Sequence, residues 1–212
     1  MAKNSMKSLK FYLDPCCPRS FRFFKRMEMH LTPSVVVPVS NFKISFMKKI
    51  IESSKEAVEQ DLKKDFQEMF VAHASEGCDA AHVEIYKTYL EHRSLFPHNY
   101  ITAIKEHFPS LLIKNFSILG HRLYNENLPV HRGCYLSTCA RLGGLELRES
   151  EYIISRLTHR SYRKTVDKIA MDCAKRGMPM APYVELITNE DEENSKILTD
   201  MNEEEISSYL IK

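Results

Sequence analysis

The sequence predicts an all-α fold: an irregular bundle of seven to eight helices, with a Pro-rich N-terminal arm containing short extended segments and an acidic C-terminal tail. Three observations predict it. Apolar residues recur at intervals of three, four and seven over long unbroken stretches. Pro97, Pro109 and Pro129 each stand where a first helical turn would begin, a position where proline loses no helical hydrogen bond. Glycine is limited to six positions, and most of these close the periodic stretches.

Residues 1–40 read as irregular. Pro15, Pro18, Pro33 and Pro38 interrupt any helix there, while Phe21-Arg22-Phe23-Phe24 and Val35 to Val39 have the composition of short extended pieces. Ser40-Asn41 is a helix N-cap signal. From Phe42 to Ala74 nothing breaks a helix, with Met47, Val58, Leu62, Phe66 and Met69 on one side and Lys48, Glu52, Lys55, Glu59 and Lys63 on others. Such a helix is on the order of 45 Å long. Gly77 ends it, and Asp79 caps the next, through Val83, Tyr86 and Leu90. Further helices are expected over 97–107, 109–124, 129–142, 148–159 and 161–176, with Gly143-Gly144 and Gly177 as stops. The organisation is therefore an arm (1–40), a helical body (41–177), a linker (178–187) stiffened by Pro179 and Pro182, and the tail (188–212).

Charge is unevenly placed. The net charge is +2, but the tail holds eight acids against Lys196 and Lys212, a local −6, so the rest carries +8. Residues 1–30 hold seven bases against Asp14 and Glu28. Sparse apolar residues in the acidic run (Ile197, Leu198, Met201, Ile206, Tyr209, Leu210) cannot bury enough surface to fold alone, yet they can dock on a partner's groove. Asn202 and Glu205 have capping-box spacing. Ile206, Tyr209 and Leu210 would share one face of a helix induced on binding and are the expected partner contacts.

A second charged feature is the basic run Arg156, Arg160, Arg163, Lys164 and Lys168. It reads as a solvated helix face, as a dock for the protein's own acidic tail, or as a phosphate-neutralising patch for RNA, with Tyr152 and Tyr162 available to stack bases.

Six cysteines occur without a signal-peptide layout ahead of them, which points to reduced thiols inside a cell, not to a disulfide framework. No stretch has the apolar length of a membrane span. His131, Cys134 and Cys139 come nearest to a metal motif, but on a helix Cys139 falls away from the face that His131 and Cys134 share, so no metal or cofactor is expected. Cys16-Cys17, among basic neighbours, is a candidate exposed thiol pair. Nucleophile-elbow, Walker, dinucleotide and His-Glu-x-x-His patterns are all missing, and no catalytic residue is expected.

Three segments carry a family resemblance: His131 to Leu136 followed by Arg141, the helix Val166 to Ala174 leading into Lys175-Arg176-Gly177-Met178, and the acidic terminus. Over residues 121–205 these resemble the non-structural NSs proteins of phleboviruses, although the Trp-Pro segment usual in that family has no counterpart in a chain without Trp. The resemblance implies a non-enzymatic intracellular accessory protein that binds host factors of innate immunity or translational control, and it assigns no functional residue. The expected function is thus a protein-interaction module, cytoplasmic with the nucleus as a second location. The alternative is an RNA-binding protein using the basic helices around 156–176.

Overall fold

A computed structural model describes residues 7–52, 96–130, 132–188, 195–199, 206 and 209. The fold is mixed, not all-α: among the described residues seven α-helices surround a four-stranded sheet. In chain order these are β1 (Lys7–Leu13), α1 (Pro18–Met27), β2 (Val36–Pro38), α2 (Asn41–Glu52), α3 (Phe96–His107), α4 (Leu112–Tyr124), α5 (Gly133–Leu142), α6 (Leu147–Ser155), α7 (Arg160–Lys175), β3 (Tyr183–Thr188) and β4 (Lys196–Leu198).

The sheet order is β2-β1-β3-β4. β1 runs parallel to β2, with Phe11 opposite Val36, and antiparallel to β3, with Leu9 opposite Leu186 and Phe11 opposite Val184. β4 pairs antiparallel with β3. Successive strand residues point to opposite faces, and the sheet buries both. Leu9, Phe11, Leu13, Val184 and Leu186 enter the larger core with α1 and α3 to α6. Tyr12 and Tyr183 enter a smaller core on the other face, with Ile44 of α2 and Ala170 and Cys173 of α7. The two tyrosine rings stack at 4.5 Å. Two-sided burial takes the consecutive apolar residues Phe11, Tyr12 and Leu13 of β1 and Leu186 and Ile187 of β3 out of solvent.

The N-terminal arm is consequently the centre of the fold. Pro18 does not interrupt a helix; it opens α1 at its first position. Phe21 and Phe24, expected as extended, are helical and buried, and Phe24 packs on Phe116 of α4 at 4.7 Å. The expected extended piece at Val35 to Val39 does contain β2. Residues 183–188, assigned from sequence to the linker and tail, form β3.

Helices of the body lie close to their expected positions. Pro109 opens a short 3-10 turn that leads into α4, and Gly177, at φ 64°, closes α7 in the left-handed region. α5 starts at Gly133, four residues beyond Pro129. Of the long helix expected over 42–74, α2 occupies the first part; residues 53–95, with the expected Asp79-capped helix, lie outside the described residues.

Gly143, at the end of α5, is packed against the amide of Asn115 so closely that a methyl group would overlap it. Asn115 is fully buried, accepts a hydrogen bond from the Tyr100 hydroxyl and donates to the Leu111 carbonyl at 2.9 Å. Gly143→Ala is expected to push Asn115 off these partners and to cost about 1–3 kcal/mol, the range for overpacking a well-filled site. Urea denaturation monitored by circular dichroism measures it, and an unchanged midpoint would contradict the contact.

Candidate functional site

α7 carries two stripes at helical spacing. Tyr162, Val166, Ala170, Cys173 and Ala174 are buried against the body. Arg160, Arg163, Lys164 and Lys168, on the other side, are all exposed, and Arg156 joins them from the end of α6. The structure therefore exposes all five basic residues singled out from sequence, four of them on α7. The one acid within that span, Asp167, is already engaged by Lys43 of α2 at 2.9 Å and lies 3.9 Å from Arg163. The charge of the remaining bases faces solvent.

An aromatic corner adjoins this face. The Arg156 guanidinium lies over the Tyr152 ring at 4.2 Å and donates to its hydroxyl at 2.9 Å. His107 of α3 meets both Tyr152 and Tyr162 edge-on, and its Nε2 is 2.8 Å from the Tyr162 hydroxyl. Tyr152 is 37% exposed. The arrangement offers fixed cations and one accessible ring, which suits binding of an anionic partner.

The residues expected to be offered to a partner by the tail are placed differently. Ile206 is 0% exposed and belongs to the larger core, and Tyr209 packs against that core. Leu210 and the tail acids 190–193, 200 and 203–205 lie outside the described residues. The tail's described parts are thus held by the body: β4 pairs with β3, Ile206 fills the core, and Ser195 accepts a hydrogen bond from Arg176 at 3.2 Å.

The thiol expectations also change. Cys16 and Cys17 are buried, not exposed, and the Cys17 sulfur lies 3.8 Å from the Ala181 carbonyl oxygen. Burial, reinforced by Asp14, pushes the Cys17 thiol up to about 11. Burial pushes Cys139 up to about 12 and raises Cys173 as well. Such thiols are poor nucleophiles at neutral pH. Of the metal motif weighed from sequence, Cys134 is exposed, Cys139 is buried, and His131 lies outside the described residues.

Sequence reasoning passed over a polar node at the end of β1. Asp14, Cys16 and His98 are 1%, 2% and 2% exposed, and one ligand atom from each lies within 4.8 Å of the others. Asp14 Oδ1 accepts from the Cys16 amide at 2.8 Å and lies 3.0 Å from His98 Nε2, and Oδ2 accepts from the Asn41 amide at 2.8 Å. His98 stands 84 residues from Asp14, a juxtaposition that no local pattern announces.

No protein-family model matches this chain, and no curated protein matches it either. Among the described residues, no helix is long and apolar enough to cross a membrane.

Proposed function

We infer that this chain is a non-enzymatic protein-interaction module that engages an acidic segment of a partner protein through the basic face of α7 and the end of α6. The observation that carries this reading is the solvent exposure of Arg160, Arg163, Lys164 and Lys168 on one side of α7 and of Arg156 at the end of α6, with Asp167 engaged by Lys43. The thiols of Cys17 and Cys139, raised by burial, offer no activated nucleophile, which supports the non-enzymatic part. In the terms of the NSs-type resemblance, the partner is a host factor of innate immunity or translational control. The proposed contact surface has moved from the tail to the helix face, because Ile206 is committed to the protein's own core.

RNA binding is the second reading, favoured by Tyr152, an accessible ring beside cations. Two measurements separate the two. Arg160→Glu/Lys164→Glu changes only exposed positions, so the fold is expected to persist. Affinity purification followed by mass spectrometry is expected to lose partner proteins with this variant. Filter binding of single-stranded RNA to the parent protein at two salt concentrations reports the alternative, since phosphate contacts weaken steeply with salt. An unchanged partner list together with no RNA retention at low salt would overturn both readings.

A further inference from the structure

The geometry points to a buried zinc site formed by Asp14, Cys16 and His98, tying the N-terminal arm to α3. It stands independently of the basic face and is argued from three features of the node.

The first is the donor set. Thiolate, imidazole and carboxylate on three side chains are a borderline-soft combination suited to zinc and poorly suited to calcium or magnesium, which prefer oxygen alone. Three protein ligands leave one tetrahedral position for a solvent molecule. The second is spacing. Two ligand atoms that each sit about 2.0–2.2 Å from one zinc ion are roughly 3.3 Å apart. Asp14 Oδ1 and His98 Nε2 are 3.0 Å apart, and the Cys16 sulfur lies within 4.8 Å of a carboxylate oxygen of Asp14 and of a ring nitrogen of His98. A shift of a few tenths of an ångström opens the pair to an ion. The third is charge. A divalent ion held here would compensate the carboxylate and the thiolate that bind it, charges that are costly to bury on their own.

The surroundings hold the ligands in place. Asp14 Oδ2 is fixed by the amide of Asn41, whose own side chain donates to the Ala181 carbonyl at 3.0 Å and accepts from the Ala181 amide at 2.8 Å. The Asp14 amide donates to Ser20 Oγ at 3.1 Å. Outer hydrogen bonds of this kind orient metal ligands. Zinc bound here would join the turn after β1 to the first turn of α3, so metal binding and folding are linked.

The test uses the full chain, stripped of metal and titrated with Co²⁺, a spectroscopic stand-in for zinc. One equivalent is expected to saturate a near-ultraviolet thiolate-to-cobalt band with tetrahedral visible absorption. Cys134→Ser, an exposed thiol outside the node, is expected to keep the band, and Cys16→Ser to lose it. Because a core variant can fail to fold, alkylation of the parent protein in urea that populates partial opening, so that buried thiols react, is mapped by mass spectrometry with and without Zn²⁺. Zinc is expected to protect Cys16 selectively. Cobalt binding without a thiolate band, a band lost in Cys134→Ser, a band retained in Cys16→Ser, or labelling of Cys16 that is indifferent to zinc would each overturn the proposal.

Discussion

Arg176→Ala is expected to destabilise the protein by about 3–5 kcal/mol, the range for removing one partner of a buried ion pair. Glu185 sits in the middle of β3, is 0% exposed, and lies between β1 and the end of α7. Its carboxylate pairs with the Arg176 guanidinium on one oxygen and accepts from the Tyr12 hydroxyl at 2.7 Å on the other. Burial pushes Glu185 up, but hydrogen bonds from Ser195, Arg176 and Tyr12, together with the charge of Arg176, outweigh it and hold the carboxyl below the usual range. A carboxyl depressed in the folded state contributes stability above its unfolded pKa, about 4.3 for Glu, and loses it as pH falls through the folded value. Without Arg176 the sign reverses. Burial then dominates, protonation relieves it, and the stability gap between parent and variant narrows as the solution is acidified. Arg176→Lys is expected to fall between the two, because a lysine keeps the charge but lacks the planar group whose Nη2 donates to both Glu185 and Ser195 while Nη1 lies 3.7 Å from Asp172. Urea titrations at neutral pH and near pH 4.3 measure both effects. A gap that stays constant with pH would show that Glu185 is not the group responsible.

Ile206→Ala is expected to cost about 2–5 kcal/mol, as for other large-to-small changes in a closed core. Ile206 lies in the cluster shared by β1, α1 and α3 to α6, and Leu198 and Tyr209 pack against the same cluster. A lowered urea midpoint with an unchanged slope is the anticipated signature, and no change would place Ile206 outside the core. The result bears on how the tail is studied. Truncation at residue 188 removes β4 and Ile206 along with the acids, so a truncated chain that loses its partners has first lost part of its fold. Point changes at exposed positions of α7 avoid that confusion.

Much of the helical body was legible because helix signals are local. Pro97 and Pro109 at first turns, Gly143 and Gly177 at ends, and the three-and-four spacing of the α7 stripes all operate within a few residues. The same locality made the basic face readable: Arg160, Arg163, Lys164 and Lys168 share a surface because the period of α7 puts them there, and the structure exposes them and Arg156. The sheet was not legible. Leu9, Phe11 and Leu13 alternate as a strand should, but their pairing partner β3 lies more than 170 residues away, with Lys7 opposite Thr188. Phe21 to Phe24 misled in the other direction. Aromatic content suggested extension, whereas the N1 proline and the packing of Phe24 on Phe116 made a helix.

By itself, then, the sequence determined the helices from α3 to α7, the basic stripe and the sign of each terminal segment, because short-range periodicity, capping and charge settle those. Tertiary structure alone decided that the proline-rich arm is a central strand, that the acidic tail is anchored through Ile206, and that Asp14, Cys16 and His98 meet in a buried node. The physical reason is common to all three. Each depends on which distant segment covers an apolar or charged surface, and that choice is made by burial over the whole chain.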